Sequence, residues 1–326
     1  MNNYQSNSPV LLLLFNRPNE TRQLLEVISK VQPKQLFISI DGPRNDNDKD
    51  QINKILDNIS EKINFDCDLR IQKQEKNLGC GLGPRAGISW FFENVEEGII
   101  LEDDCIPSES FFEFCDTLLK KYKNNKNIWI ISGDNGGPIL NEKYFYNTDY
   151  IFSNIPLIWG WASWKDRWEK YDENLSNWNY GTLQNLKYLR HVSLFEKFIV
   201  GRICKNSSKT EIKNFWDFQL YSSMLKNKGF AIIPRINLIS NIGWGDIATH
   251  TVKESFRTKV KTNNFKTIKH NDIVQTDKKI NNIITYSIHT NTPKRIINLE
   301  KLYLVRIFYL LKRLQYYFSY IRNFIN

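Results

Sequence analysis

Cysteine is scarce in these 326 residues: Cys67, Cys80, Cys105, Cys115 and Cys204 are five, an odd number with no Cys-x-x-Cys pair. That usage argues against a disulfide framework and reads as reduced, mostly buried thiols. With four histidines, no Cys/His spacing suits zinc, and no Ser/His/Asp set is placed for acyl transfer. The glycine-rich run Gly79-Cys80-Gly81-Leu82-Gly83 lacks the Lys-Ser/Thr of a P-loop and the order of a dinucleotide-binding turn. It reads as the loop entering a helix that bears Arg85. Long apolar runs are missing too: residues 10–15 are too short for a leader core or a membrane span, and residues 1–9 carry no basic segment. The expectation is a cytoplasmic protein.

Net positive charge is absent from the body of the chain. Residues 251–326 hold 15 Lys/Arg against 4 Asp/Glu, a net of +11, so the overall +10 leaves the first 250 residues at −1. A near-neutral body weighs against an extended nucleic-acid face and leaves any anionic contact to the tail.

What is present is alternation. Residues 10–15 read as a fully buried strand, and Leu24, Leu25, Val27, Ile28 and Val31 then recur on a helical period. Residues 36–40 are a second strand ending in Asp41, followed by Ile52, Ile55, Leu56 and Ile59 at helical spacing. A weaker strand at 69–71, a helix over 82–95 and a strand at 98–101 complete the series. Such alternation predicts an α/β domain with a mostly parallel central sheet flanked by helices, and ligands at the strand carboxyl ends. A further strand is expected at 128–133, after a helix over 111–122. Beyond about residue 145 the alternation fades into aromatic-rich segments, which read as the substrate-facing half of the same domain.

The strand at 98–101 delivers Glu102-Asp103-Asp104, three acids in a row. Carboxylates at a strand end suit Mg²⁺ or Mn²⁺ carrying phosphates. An acidic turn capping the next helix is the other reading of the triplet taken alone; the buried strand before it and Asp41 at a neighbouring strand end favour the first. Asp217, within Asn214-Phe215-Trp216-Asp217-Phe218-Gln219, is a single acid among aromatics and, taken alone, reads as a helix cap.

In order, Phe15-Asn16-Arg17-Pro18, Ile40-Asp41-Gly42, Gly83-Pro84-Arg85-Ala86-Gly87 and Glu102-Asp103-Asp104 with Phe111-Phe112 resemble a known pattern. It is that of nucleotide-sugar-dependent glycosyltransferases of the GT-A fold, in the branch of the N-acetylglucosaminyltransferase I type and related bacterial glycosyltransferases. The resemblance implies Asp104 as the direct ligand of Mn²⁺ or Mg²⁺. It also implies Arg17 and Asp41 at the nucleotide end, Glu102 and Asp103 toward sugar and ribose, and Arg85 on the pyrophosphate. The Trp-Asp segment that carries the family's base matches Asp217, although the family has two successive acids where this chain has Asp217-Phe218.

Further along, Ile242-Gly243-Trp244-Gly245-Asp246 with Thr249-His250-Thr251 resembles the loop that closes over the donor, with His250 on the phosphates or the metal. Trp159 and Trp161, with Trp216, read as an acceptor or donor-sugar wall, or almost as readily as core. The expected activity is inverting transfer of a hexosyl or N-acetylhexosaminyl group from a nucleotide-diphosphate sugar, a UDP-sugar favoured, to a glycan or lipid-linked acceptor in bacterial surface glycan synthesis.

The expected organisation is a GT-A domain over 1–252, with a nucleotide-sugar half to 145 and an acceptor half over 146–252, then a polar connection over 253–300. Residues 301–326 form a basic amphipathic helix: Ile307, Leu310, Leu314, Phe318, Ile321 and Ile325 share one face, with Lys301, Arg306, Lys312, Arg313 and Arg322 around it. It reads as a peripheral anchor on the anionic inner membrane surface, or as a helix packed on protein. Two rivals stand beside the transferase. A sugar nucleotidyltransferase would carry a Gly-rich basic signature where Asn16-Arg17-Pro18-Asn19 stands, and the other rival is a non-catalytic basic module binding membrane or nucleic acid.

Overall fold

The computed structural model describes residues 4–140, 142–175, 193, 196–197, 215–243, 256–258 and 260–290. Strand β1 (Val10–Leu14) is five aliphatic residues, all buried, as a strand covered on both faces requires. Strands β2 (Gln35–Ile40), β3 (Asp68–Lys73) and β4 (Glu97–Glu102) run parallel to it in the order β3-β2-β1-β4. They are linked by helices α1 (Pro18–Val31), α2 (Asp46–Lys62) and α3 (Gly79–Asn94).

Beyond β4 come the short strand β5 (Cys105–Pro107), helix α4 (Glu109–Tyr122) and strands β6 (Ile128–Ser132), β7 (Tyr150–Ser153) and β8 (Trp161–Trp164). The helical turn α5 (Lys165–Trp168), helix α6 (Asp217–Lys226), strands β9 (Phe230–Pro234) and β10 (Ile239–Asn241), and helix α7 (Lys278–Thr290) follow. One eight-stranded sheet has the order β3-β2-β1-β4-β8-β6-β9-β7, with β7 and β8 running against the other strands; β5 and β10 pair separately. The fold is therefore mixed α/β with a mostly parallel central sheet flanked by helices.

Alternate residues of β1 feed two cores. Val10, Leu12 and Leu14 pack with Leu24 and Ile28 of α1, Ile55 of α2 and Phe111 of α4 on one face. Leu11 and Leu13 pack with Ile88 and Phe91 of α3 on the other, in a core that also holds Met224 of α6 and Ile284 of α7. Each aliphatic side chain buried this way contributes about 1.5–3 kcal/mol.

Three local expectations change. The glycine-rich run is not a loop: Gly79 opens α3, at φ 79°, because the Asp41 carboxylate accepts the Leu78 and Gly79 amides at 2.8 and 3.0 Å. Gly87 of the same helix lies so close to β1 and β2 that a Cβ would meet Leu13 Cδ2 and Ser39 Oγ at 2.7 Å. The aromatic segment around residue 161 supplies a central strand, since Trp161 and Trp164 are both buried within the sheet. The polar stretch 253–300 contains α7, where Ile280, Ile283 and Ile284 are buried and Asn281 binds Ser153 and Asn154. A single i, i+3, i+4 triplet among Lys and Asn is a weak sequence signal, and buried amide contacts complete the packing.

Among the described residues no helix is long and apolar enough to cross a membrane. Cys204 and the 301–326 segment lie outside the described residues.

The turns at the carboxyl ends of β1 and β2 are tied together by Asp48, 1% exposed, which accepts from Asn16 Nδ2 at 2.7 Å and from Arg44 Nε, N and Nη2 at 2.7, 3.1 and 3.1 Å. Hydrogen bonds from Arg44 hold its carboxyl down at about 2. Because the folded value lies below the unfolded one of about 4, this contribution is present above pH ~4 and is lost as pH falls toward 2. Replacing Asp48→Asn is expected to lower unfolding free energy by about 2 kcal/mol at neutral pH and to flatten the stability profile between those pH values, as read by denaturant titration.

Candidate functional site

The register of β1 against β4 builds the site. Leu13 lies opposite Glu102, and the Asp103 amide donates to the Leu13 carbonyl at 3.1 Å. The turn after β1 therefore runs beside the acid triplet. Pro18 starts α1 there and fixes the backbone just past Arg17. From this position one guanidinium nitrogen, Arg17 Nη1, donates to Asp103 Oδ1 at 3.0 Å and to Asp104 Oδ2 at 2.8 Å.

Asp104 is held on its other side as well. Its Oδ1 accepts from Asn241 Nδ2 at 3.3 Å and from the Cys105 thiol at 3.4 Å, while its carbonyl accepts the Ile242 amide at 2.9 Å. These contacts follow from the pairing of β10 with β5, which sets Asn241 opposite Cys105. Gly243 is pressed so closely on the acid that a Cβ would lie 1.8 Å from Asp104 Oδ2. The segment running toward His250 thus leaves from the surface of Asp104. His250 itself, with Trp244, Gly245 and Asp246, lies outside the described residues.

Asp41, at the carboxyl end of β2, has both oxygens engaged: Oδ1 by the Gly42 and Leu78 amides and Oδ2 by the Gly79 amide and Asn77 Nδ2. It anchors the amino end of α3. Two turns along that helix Arg85 pairs with Glu173.

Asp217 opens α6 and accepts its neighbour Phe218's amide at 2.8 Å. Its position is reported by the groups it acts on. Burial, then Asp104, Asp103 and Asp217 in that order, push the Glu102 carboxyl well above the ordinary range, with Arg17 opposing. Asp103 is raised by burial against the pull of Arg17. The half-buried Cys80 thiol of α3 is raised first by burial and then by Asp217, Asp41 and Glu102. Tyr171, raised chiefly by burial, feels Arg85 and Asp217, and its hydroxyl donates to the Trp216 carbonyl at 3.2 Å. Cys80 thus feels Asp217, Asp41 and Glu102, while Tyr171 feels Arg85 and Asp217.

The tryptophans divide. Trp161 and Trp216 stack at 6.0 Å and are buried, at 1% and 6% exposure. Trp159 is half-buried and carries the Arg257 guanidinium 4.2 Å above its ring, with Arg257 paired to the buried Asp134. Sequence reasoning did not find Asn241, Cys80, Asp134 or Arg257. A lone Asn or Arg carries no local signal, and its place here depends on strand pairing across more than 100 residues.

Among the described residues no three His, Cys, Asp or Glu side chains converge to cage a metal ion. Asp104 offers one hard carboxylate, with Oδ1 oriented by Asn241 and Oδ2 turned to Arg17. That donor set fits Mg²⁺ or Mn²⁺ as a one-carboxylate site completed by oxygens of a bound diphosphate, once Arg17 leaves Oδ2.

No family model matches the sequence, and no curated protein matches it. Solved structures overlap it weakly. HddC from Yersinia pseudotuberculosis, complexed with GMP-PN, is 10% identical with a TM-score of 0.30 over 50% of this chain and 80% of that one. The 4-diphosphocytidyl-2C-methyl-D-erythritol synthase of Anaerococcus prevotii is 12% identical with a TM-score of 0.33 over 60% and 84%. Glucosyl-3-phosphoglycerate synthase of Mycobacterium tuberculosis, in complex with Mn²⁺, UDP-glucose and phosphoglyceric acid, is 10% identical with a TM-score of 0.29 over 49% and 58%. Overlaps of this size assign neither family nor activity, and the site is argued from its own residues.

The Gly243 contact makes a direct prediction. Replacing Gly243→Ala must move either the backbone or the Asp104 carboxylate, and is expected to lower stability by about 1–3 kcal/mol in a denaturant titration. Gly87→Ala, which would crowd Leu13 and Ser39 rather than a carboxylate, serves as the packing control.

Proposed function

We propose that this chain is a GT-A-type glycosyltransferase of the N-acetylglucosaminyltransferase I kind, moving a hexosyl or N-acetylhexosaminyl group from a nucleoside-diphosphate sugar, a UDP-sugar favoured, to a hydroxyl acceptor with inversion. The observation that carries this reading is the cluster at the carboxyl ends of β1, β2 and β4, where Arg17 binds Asp103 and Asp104 next to Glu102, Asp41 ends the neighbouring strand, and Asp217 of α6 adds to the field on Glu102. That edge of a parallel sheet is where α/β folds take nucleotides. The set also separates two tasks that sugar transfer needs, charge for a leaving diphosphate and a carboxylate for the incoming hydroxyl.

In this reading Asp41 and Arg17 serve the nucleotide end, Glu102 and Asp103 face sugar and ribose, and Arg85 and His250 meet the phosphates. Asp104 would hold Mg²⁺ or Mn²⁺, which would supply Lewis-acid neutralisation of the diphosphate. Asp217 takes the proton of the acceptor hydroxyl as the hydroxyl attacks the anomeric carbon. Trp159 offers its ring to the acceptor sugar, with Trp161 and Trp216 as buried support. A basic helix over 301–326 would hold the enzyme at the anionic inner membrane surface, where lipid-linked acceptors for bacterial surface glycans lie.

Nucleotidyl transfer is the second reading, because it also uses an α/β nucleotide site. It would carry a Gly-rich basic signature right after the first strand, and here that turn is Asn16-Arg17-Pro18-Asn19, with no glycine. Sugar transfer is favoured on that ground.

The test is a panel of nucleotide sugars with and without Mn²⁺, read by thermal shift and by slow donor hydrolysis. One donor should stabilise the wild type only with metal. Asp104→Ala should lose the metal-dependent shift. Asp217→Ala should keep the shift yet lose about 10²–10⁴-fold in transfer. Full turnover by the Asp217 variant would remove that residue from the mechanism.

A further inference from the structure

A guanidinium meeting a carboxylate ordinarily uses two nitrogens in a fork. Arg17 does otherwise: the single atom Nη1 lies 3.0 Å from Asp103 Oδ1 and 2.8 Å from Asp104 Oδ2. One cationic centre thus already occupies Asp104 Oδ2, the oxygen that a divalent cation held by Asp104 would need. The site is closed, since the side chains of Arg17, Asp103 and Asp104 are only 13%, 9% and 12% exposed. Asp104 cannot turn its other oxygen out freely, because Oδ1 is held by Asn241 and Gly243 packs against Oδ2.

Resting on the nucleotide-sugar reading, we propose that Arg17 is an internal cation that competes with the metal for Asp104 Oδ2, and that a bound diphosphate resolves the competition by taking Arg17 as its own partner. Oδ2 is crowded by Gly243 and already taken by Nη1, so a metal there displaces the guanidinium. A metal entering alone must leave a largely buried guanidinium without its acids, which is costly. A metal entering with a diphosphate leaves Arg17 a phosphate to pair with, in the geometry guanidinium favours. Metal and nucleoside diphosphate then bind with positive coupling, and the coupling is reciprocal. Without a donor the acids stay neutralised by Arg17.

Arg17 is in this account a positioning residue, and its test reads metal binding rather than turnover. Mn²⁺ affinity of the full chain is measured by water-proton relaxation enhancement for the wild type, Arg17→Gln and Arg17→Lys, first without nucleotide. It is then measured at saturating UDP, GDP or CDP, whichever stabilises the wild type. Without nucleotide, Arg17→Gln should bind Mn²⁺ at least about tenfold more tightly than the wild type. Arg17→Lys, a shorter point charge with a looser hold on both acids, should fall between them. With diphosphate the wild-type affinity should rise by at least about tenfold and the gap to Arg17→Gln should close.

Equal or weaker Mn²⁺ binding by Arg17→Gln overturns the proposal, as does a gap that diphosphate leaves unchanged. If Arg17→Gln does not fold, wild-type affinity for Arg17→Lys overturns it in the same way. The wider reading fails separately: Mn²⁺ binding by no protein, with or without any of the diphosphates, overturns the competition and the nucleotide-sugar site together.

Discussion

The pairing of β1 with β4, Leu13 opposite Glu102, is the constraint on which the rest of the site depends. It ends two buried strands at the same level, so the turn that carries Arg17 and the turn that carries Asp103 and Asp104 must lie side by side. A shift of this register by one residue would exchange the two faces of β1 and disrupt both cores. Aliphatic burial on both faces thus secures a geometry that the acids alone would oppose. Glu102 and Asp103 are both pushed upward by burial and by the neighbouring Asp104, the mark of charge concentrated beyond what local packing prefers.

The secondary elements add three further supports around that line. Asp41 anchors α3 through the Leu78 and Gly79 amides, the helix whose Cys80 feels Asp217, Asp41 and Glu102. Asp48 ties the β1 and β2 turns through Asn16 and Arg44. The β5–β10 pair brings Asn241 and Gly243 onto Asp104 from a segment more than 130 residues later. Each support is a short polar contact on a rigid element, an arrangement that orders a site before a ligand arrives.

The first half of this design is legible in the sequence because it is local. Residues 10–15 and 98–101 announce buried strands by unbroken apolar runs, and the helical period of α1 and α2 predicts the parallel sheet. The acids and Arg17 follow from strand ends. What is not legible depends on contacts across the chain. The glycines of 79–83 look like a loop until Asp41 supplies a helix start, and α7 hides three isoleucines in polar sequence. Trp161 reads almost as readily as core as wall until β8 is seen in the middle of the sheet. Asn241 has no signal at all, since its role comes from one antiparallel pairing.

The proposed chemistry turns on which bond of the donor breaks. Sugar transfer cleaves between the anomeric carbon and the β-phosphate oxygen, and nucleotidyl chemistry cleaves between the two phosphates. Incubating the full chain with Mn²⁺ and the nucleotide sugar that stabilises it, then identifying the nucleotide product with and without added pyrophosphate, tests this directly. The account predicts release of the nucleoside diphosphate, unchanged by pyrophosphate and lost with Asp104→Ala. Formation of a nucleoside triphosphate and a sugar 1-phosphate when pyrophosphate is added would contradict it.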